Sequence, residues 1–245
     1  VVSGGLTRER EKALYRRRKP IPAIVIVIVL GIAAIVVWTK VIARSSDVDA
    51  AVACPPAASQ SSTAPTPAAK KAAPTTTQKA KTPADNPLPY DALDKIAPLP
   101  AGDVKIQVLN ASTQRGAALQ ASNQLQQDGF QVASPGNDPL YPAQNMQCRG
   151  QIRFGPNGES AARTISLLVP CTQLVRDNRQ DATIDLAIGS DFTGVTPNPQ
   201  AQQAMHQLAT WAAKHPAPKG GQQAQNSALP RLDANLLAQA HSDQC

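Results

Sequence analysis

Aromatic side chains are scarce in this sequence: they make up 3% of its 245 residues, beside 22 Pro and 14 Gly. A single domain of that length normally buries many bulky side chains, and this chain has few of them. The composition therefore excludes one large core. We expect one domain of modest size joined to long stretches of extended chain.

Histidine is also rare, and the usual catalytic motifs are missing. The three histidines, His206, His215 and His241, lie in the C-terminal part, without the H-x-x-x-H or Cys–His spacing of a zinc site. The sequence contains no G-x-S-x-G, Walker or G-x-G-x-x-G motif. A Ser-His-Asp set can assemble from distant positions, but no histidine falls within the β-α-β-β-α-β part of the domain predicted below, which ends at residue 188. We predict no catalytic residues, no metal, no cofactor, and a protein that is not an enzyme.

The formal net charge of +7 is typical of a basic protein, yet the excess is confined to the N-terminal end. Residues 1–44 carry nine basic and two acidic side chains, whereas residues 45–245 carry 15 of each. So short a basic segment, with only Tyr15 to stack on bases, does not indicate nucleic-acid binding. We expect no nucleic-acid partner.

An uncharged apolar run of nineteen residues, from 21 to 39, follows the basic cluster. As a helix it spans roughly 28 Å, close to the hydrocarbon thickness of a bilayer. Seven basic residues precede the run and two, Lys40 and Arg44, follow it, so the positive-inside rule leaves residues 1–20 in the cytoplasm. The sequence predicts a single transmembrane helix over residues 21–42 in the cell membrane, with the C-terminal domain outside the cytoplasm.

Two other interpretations of the apolar run stay open. A cleaved signal peptide has an apolar core of about 7–15 residues and a small-x-small site close behind it, whereas this run is longer and is followed by charges. The residues Ala51-Val52-Ala53-Cys54 loosely resemble a lipoprotein cleavage box without its usual Leu. An uncleaved anchor fits the length and the flanks better than either.

Two segments have the composition of disordered chain. Residues 43–102 are rich in Ala, Pro and Thr and show neither a 3.6-residue nor a 2-residue period, which predicts a disordered stalk with polyproline II character. Such a stalk is long enough to lift a domain off the membrane. Residues 216–245 are predicted to form a flexible tail with a weak helix over 232–240.

The ordered part is predicted over residues 103–215. Alternating apolar positions indicate strands, and small apolar residues at spacings of 3 and 4 indicate helices. The element order is β-α-β-β-α-β followed by a C-terminal helix, which predicts an α+β fold, a two-layer sandwich. The predicted strands cover 105–110, 130–133, 151–154 and 182–188, and the predicted helices cover 114–128, 159–169 and 201–214.

Three blocks of sequence carry a resemblance to a known family: KIQVLNASTQRGAALQASNQLQQDGFQV, GQIRFGPNGESAARTISLLVPC and LVRDNRQDATIDLAIGSDF. Over residues 104–192 they resemble the LytR C-terminal domain family (LytR_C), in its solitary, membrane-anchored actinobacterial form. One departure is that the Asn-Gly common in the family after the first strand is Asn110-Ala111 here.

The resemblance implies a function as well as a fold. It implies a non-enzymatic envelope protein that supports cell envelope integrity as an adaptor or a ligand-binding module. Envelope proteins such as the LytR-CpsA-Psr phosphotransferases are the partners it implies. The alternative is a carrier that binds lipid or glycolipid precursors of the cell wall and works with such enzymes.

Four cysteines in an exported chain favour disulfides, because the compartment outside the membrane is oxidising. Cys148 precedes a predicted strand and Cys171 ends the following helix, and the lengths of strand and helix bring these two positions together. The leading pairing is therefore Cys148 with Cys171, which leaves Cys54 with Cys245. Four cysteines allow three pairings, and the second bridge follows only by remainder.

Arginines are the candidates for ligand binding. Arg115, Arg149, Arg153 and Arg163 lie in or beside the predicted domain, and guanidinium groups bind phosphate or carboxylate in bidentate fashion. Together with Asn110, at the turn after the first strand, we select Arg115, Arg153 and Arg163 as the candidate residues for a cell-wall polymer or a lipid. The alternative is that these arginines are ordinary surface residues that balance nearby Asp.

Overall fold

The structure, a computed structural model, describes residues 21–55, 86–215, 230–242 and 245. Contacts divide the chain into two units, residues 1–43 and residues 44–245. Helix α1, Ile21–Val52, accounts for the described part of the first unit and continues into the second. All other described elements belong to the second unit.

The first unit exposes its apolar side chains. The described large aliphatic side chains of α1, over residues 25–35 and at Val37, are 52% to 68% exposed. Among the described residues, no helix combines the length and the hydropathy that a membrane crossing requires. The transmembrane helix over residues 21–42 therefore stays a prediction.

The second unit contains seven strands and four further helices in its described residues. The strands are β1 Pro87–Leu88, β2 Lys105–Asn110, β3 Gln131–Val132, β4 Gly136–Asn137, β5 Gly150–Phe154, β6 Gln173–Arg176 and β7 Ile184–Ile188. The helices are α2 Ala117–Gln127, α3 Glu159–Leu168, α4 Pro199–Lys214 and α5 Ala234–Ala240.

The strands form one sheet in the order β1-β6-β5-β7-β2-β3, with β4 also paired to β2. Strand β2 is parallel to β3, β4 and β7, and β5 is parallel to β6. The two parallel sets meet where β5 and β7 pair antiparallel. Strand β1 forms the edge of the sheet opposite β3 and pairs antiparallel with β6.

One face of the sheet packs against helices α2 and α3. Because successive side chains in a strand point to opposite faces, Ile106 and Val108 of β2 lie on the same face as Ile152 of β5 and Leu186 of β7. These side chains form one buried cluster with small residues of the helices, such as Ala121. The predicted α+β class is confirmed, and the four predicted strands and the helices of the domain are present.

Strand β6 is absent from the sequence-based prediction. Its four residues, QLVR, are too few to show an alternating pattern, and they follow Pro170 and Cys171 almost directly. The segment is extended because it pairs with β5 on one side and with β1 on the other. Pairing of distant segments, which no local pattern reports, decides this strand.

The predicted stalk over residues 43–102 is wrong at both ends. At its start, Asp49 Oδ1 accepts a hydrogen bond of 2.7 Å from the Tyr90 backbone N–H, and the Pro55 carbonyl accepts one of 2.8 Å from the Tyr141 hydroxyl. At its end, Asn86 accepts a backbone hydrogen bond from Arg176 of β6. Residues 56–85 lie outside the described residues.

These contacts change the role of the stalk. The chain already joins the domain at Cys54, before residues 56–85, and it returns to the domain at Asn86. The chain is therefore attached to the domain on both sides of residues 56–85, whereas a stalk over residues 43–102 would precede the domain. Composition identified the segment as unlike a folded core, but the fixing of both ends depends on long-range contacts.

The predicted flexible tail over residues 216–245 is also corrected. Helix α5 packs against α4, and Asn198 Nδ2 donates a hydrogen bond of 3.1 Å to the Ala240 carbonyl. Ala240 is buried with Leu167 and Ala201. The described residues 230–242 and 245 therefore belong to the domain, and residues 216–229 lie outside the described residues. The weak helix predicted over 232–240 is present as α5.

The disulfide pairing predicted from lengths is wrong. The structure joins Cys54 to Cys148 and Cys171 to Cys245. Cys148 and Cys171 do lie at the same end of the sheet, since they precede the paired strands β5 and β6. However, Cys148 packs on the sheet face away from the helices with Cys54, whereas Cys171 lies three residues beyond the end of α3. Element lengths measure the distance along the sheet but do not report which face a side chain occupies.

Non-reducing peptide mapping tests this pairing directly. We expect one linked pair containing Cys54 and Cys148 and another containing Cys171 and Cys245. Because the bridges close separations of 94 and 74 residues, removal of either by a double Cys→Ser change is expected to lower the free energy of unfolding by about 4 kcal/mol. A Cys148–Cys171 peptide would contradict the structure.

Candidate functional site

The sheet face opposite the helices is divided into a covered half and an open half. On the covered half, Leu109 of β2 and Ala187 of β7 are buried beneath Tyr141 and Met146 from the segment 138–148. On the open half, strands β2 and β7 carry Gln107 and Asp185, which face each other in register. The boundary between the halves is therefore set by how far the segment 138–148 extends over the sheet.

A buried ion pair holds the covering segment in place. Arg153 of β5 donates to both carboxylate oxygens of Asp138, at 2.9 and 2.7 Å, and the exposed fractions of the two residues are 2% and 1%. Arg153 also donates to Gln151 Oε1 at 3.0 and 2.8 Å. Gln151 in turn donates to Gln173 of β6 at 2.8 Å. The Arg153 guanidinium is thus buried and bonded inside the protein, and the predicted ligand-binding role of Arg153 has no support.

The open half forms a cavity of about 410 Å³, which we call the sheet groove. It lies beside edge strand β3, at the start of β2 and β7. It is lined by Lys105, Ile106, Gln107, Gln131, Val132, Ala133, Thr183, Ile184 and Asp185. The alternation of β2 and β7 explains the lining, because the positions between their core residues carry the polar side chains of this face.

The two amides of the sheet groove use their nitrogen atoms within the protein. Gln107 Nε2 donates 3.2 Å to the Ser134 carbonyl, and Gln131 Nε2 donates to the Gly102 carbonyl. A backbone carbonyl only accepts hydrogen bonds, so these contacts fix which end of each amide is the nitrogen. Neither Oε1 atom has a hydrogen-bond partner among the described residues.

Two further side chains of the groove, Thr183 and Asp185, are also held by hydrogen bonds within the protein. Thr183 Oγ1 donates to Asp181, and Asp185 Oδ2 accepts a hydrogen bond of 2.6 Å from Arg179. Arg179 also donates 2.8 Å to Asp177. Burial lowers the pKa of the Arg179 guanidinium, but its hydrogen bonds to the two carboxylates outweigh burial and raise that pKa above its ordinary value. Asp185 is therefore partly neutralised, and its Oδ1 is without a partner among the described residues.

The other predicted ligand-binding residues do not come together. Asn110, at the end of β2, is buried and accepts hydrogen bonds from the backbone and the hydroxyl of Ser112, at 3.0 and 2.9 Å. Arg115 is exposed in the turn before α2. Arg163 is buried in α3, in the layer on the other side of the sheet. The distances along the chain gave no indication that these residues lie in separate places.

Arg163 belongs to a cluster that fixes the C-terminal segment. Its Nη1 lies 2.9 Å from Asp94 Oδ1, and His241 Nδ1 lies 2.7 Å from the same oxygen. The His241 ring stacks on Tyr90 with 4.1 Å between ring centroids. Burial raises the pKa of Asp94, but His241 and Arg163 outweigh it and hold that pKa below its ordinary value. This cluster joins the residues after Asn86, α3 and α5, and we assign it a structural role.

Sequence reasoning missed the sheet groove for an identifiable reason. Asp177, Asp181 and Asp185 recur at a spacing of four, and their position on the approach to a predicted strand favours solvated carboxylates, but Asp177 and Asp185 are ion-paired to Arg179 in the structure. The available signal is the polar residues at alternate positions of two strands. That signal becomes a site only once β2 and β7 are known to be neighbours.

Comparisons with known proteins agree with this fold. The family described as LytR cell envelope-related transcriptional attenuator, LytR_C, matches residues 103–192. The soluble domain of a conserved hypothetical secreted protein from Mycobacterium marinum has a crystal structure with a TM-score of 0.54 and 31% identity, covering 65% of this chain and 97% of that one. The matched segment and the sheet define a LytR_C-domain protein.

Similarity over the whole chain assigns the protein to a narrower family among the LytR_C-domain proteins. The chain is 32% identical over 244 residues to the cell envelope integrity protein Cei of Mycobacterium tuberculosis, covering 100% of this chain and 98% of that protein. The chain therefore belongs to the Cei family of LytR_C-domain proteins, and its role is associated with the cell envelope.

The buried Arg153–Asp138 pair generates a stability prediction. Asp138→Ala leaves the guanidinium buried without its counter-ion, so we expect the free energy of unfolding to fall by about 3–5 kcal/mol. Asp191→Ala, which removes an exposed carboxylate, is the matched control and is expected to change it by less than about 0.5 kcal/mol. Equal urea midpoints for the two variants would show that the pair does not hold the segment 138–148.

The lowered pKa of Asp94 predicts a dependence of stability on pH. Since the folded-state pKa lies below the ordinary value of 3.8, the stabilisation is present above that value and is lost as the pH falls through the folded-state pKa. The Asp94 side chain is 44% exposed, so solvent screening limits the effect to about 1 kcal/mol or less.

The measurement compares wild type with Asp94→Asn in urea unfolding at about pH 5 and about pH 3. We expect wild type to be more stable than Asp94→Asn at the higher pH. At the lower pH we expect the difference between their free energies of unfolding to shrink. Asp91→Asn, an exposed carboxylate in the same turn, is the control. A difference that grows on acidification would show that the sign is wrong.

Proposed function

We propose that this chain is a membrane-anchored, non-enzymatic envelope protein that supports cell envelope integrity, and that its LytR_C domain binds an envelope component in the sheet groove. The integrity role is supported by the name of its Mycobacterium tuberculosis relative. The observation that carries the binding site is the set of fixed, unpartnered oxygen atoms in an open cavity of about 410 Å³.

The anchor is proposed from the N-terminal sequence. Nineteen uncharged residues follow a basic cluster, and the aliphatic side chains between Val25 and Val37 are exposed in the described helix. Exposed apolar surface of this extent favours a lipid environment. The charge difference across the run supports a cytoplasmic N-terminus and an extracytoplasmic domain.

The groove chemistry supports binding over catalysis. General acid-base or nucleophilic chemistry requires a nucleophile next to a base with a suitable pKa. In the sheet groove the hydroxyl of Thr183 donates to Asp181, and the carboxylate of Asp185 is bound by Arg179. These groups are positioned to accept hydrogen bonds from a ligand, and the protein acts as an adaptor between that ligand and the membrane. LytR-CpsA-Psr phosphotransferases are the proposed enzyme partners.

A lipid carrier is the competing function. Carriage of an acyl or prenyl chain needs an enclosed apolar cavity, whereas four of the side chains lining the sheet groove, those of Lys105, Gln107, Gln131 and Asp185, are charged or carry amides. The polar lining favours binding of a hydrophilic envelope component. Extraction of the purified protein for bound lipid separates the two functions, because a carrier is expected to retain lipid.

A complementation experiment tests the proposed function. We expect deletion of the gene to raise envelope permeability and antibiotic sensitivity, wild type to restore both, and Gln107→Leu/Gln131→Leu to restore them only in part. The exposed helix residue Gln126 provides a matched control, since Gln126→Leu makes the same chemical change outside the groove.

Two outcomes would contradict the proposal. Unchanged permeability in the deletion strain would count against the integrity role. Full complementation by the groove variant, at protein levels equal to wild type, would count against the sheet groove as the site.

A further inference from the structure

We propose that the ligand of the sheet groove is an uncharged, hydroxyl-rich glycan. This inference rests on the proposed function, because it names the class of envelope component that the same site binds. It follows from the hydrogen-bonding capacity of the groove and from the balance of its charges, which are considered in turn.

The first argument is the set of hydrogen-bonding groups that the lining leaves available. Four side chains of the lining each make a hydrogen bond within the protein and still have an oxygen that can accept another. They are Gln107, Gln131, Thr183 and Asp185. Among the described residues that line the groove, Lys105 is the only one with a cationic side chain. Each amide nitrogen also keeps one N–H and Lys105 brings an ammonium group, so a ligand that matches such a surface must bring both donors and acceptors. Sugar hydroxyl groups supply both, and they supply donors at short, regular spacing.

The second argument is that the oxygens are fixed in position. Gln107 and Asp185 sit opposite each other on the paired strands β2 and β7, and each is held by a hydrogen bond to a neighbouring segment, to Ser134 and to Arg179 respectively. Side chains that are already ordered lose little conformational entropy on binding. The groove is therefore preorganised for a ligand with donors in a matching arrangement.

The charge balance excludes the two ionic ligand classes. A phosphate or carboxylate ligand would meet one cation, Lys105, among oxygen atoms that repel it, with Asp185 in the same lining. A cationic amine would meet Lys105 itself, and Asp185 is already paired with Arg179 at 2.6 Å. An anionic ligand and a cationic ligand would each be repelled by a charged side chain of the lining. An uncharged ligand therefore fits best.

The shape of the site suits a chain better than a compact molecule. The side chains of Lys105, Gln107, Gln131 and Ala133 are exposed along its length, so the groove is open to solvent. Its volume of about 410 Å³ lies in the range of small-ligand pockets, about 300–1,000 Å³. A glycan strand can lie across an open groove of this kind while a short saccharide segment occupies it.

The binding experiment uses the full chain in detergent micelles with two uncharged probes, chitotetraose and cellotetraose, observed by saturation-transfer difference NMR. We expect saturation transfer to at least one probe. Gln107→Leu and Thr183→Val each remove one hydrogen-bonding group, so we expect each to weaken the affinity about threefold to tenfold. The matched controls, Gln126→Leu and Thr210→Val, are exposed in α2 and α4 and are expected to leave it unchanged.

Charged probes complete the test. Inorganic phosphate and cadaverine are not expected to displace the saccharide. The inference is overturned if neither saccharide binds, if the groove variants bind as tightly as the controls, or if phosphate competes for the site. Circular dichroism of each variant checks that it remains folded, so that a loss of binding reports the groove.

The result is separable from the proposed function. If groove variants impair complementation but no saccharide binds, the integrity role and the site stand while the ligand class is wrong. If saccharide binds normally to a variant that fails to complement, the sheet groove binds glycan but the envelope role depends on another surface.

Discussion

The organisation of this domain depends on one buried ion pair, Arg153 with Asp138. A guanidinium that is almost fully excluded from water is stable only with a counter-ion and satisfied hydrogen bonds, and both carboxylate oxygens of Asp138 supply them. The pair holds the segment 138–148 over half of the sheet, where Tyr141 and Cys148 become buried. The bridge from Cys148 to Cys54 then joins the end of α1 to the same face. The extent of this covering leaves the other half of the sheet open as the groove.

Burial and internal pairing separate the polar groups with a structural role from those available to a ligand. Arg153 and Arg163 are attractive ligand-binding residues in isolation, yet both are buried beside a carboxylate that neutralises them. In the sheet groove Gln107, Gln131 and Asp185 are also bound to the protein, but each retains a side-chain oxygen without a partner among the described residues. A guanidinium that is buried beside a carboxylate is not accessible to a ligand, whereas an exposed amide held by its nitrogen presents its oxygen.

Sequence reasoning reached the domain but not the connections around it. The strands at 105–110 and 151–154 and the helix over 159–169 were predictable because their apolar spacing is local and regular. Strand β6 was not, since its four residues acquire a strand conformation from β5 and β1. The pairing of Cys54 with Cys148 was not predictable either, because it depends on the sheet face that each cysteine occupies. For the candidate site, the residue types were visible in the sequence, but their neighbours were not.

What the sequence determined by itself is the composition of each part: an apolar run behind a basic cluster, a proline-rich segment without periodicity, and alternating strands with small-residue helices. These are local properties, and hydrophobic spacing reports them directly. The tertiary structure alone decided that residues 44–55 and 230–242 belong to the domain, which cysteines pair, and that Gln107 and Asp185 share an open face. Each of those depends on segments far apart in the chain coming into contact, and the free energy of such contacts resides in pairs of residues that no single stretch of sequence contains.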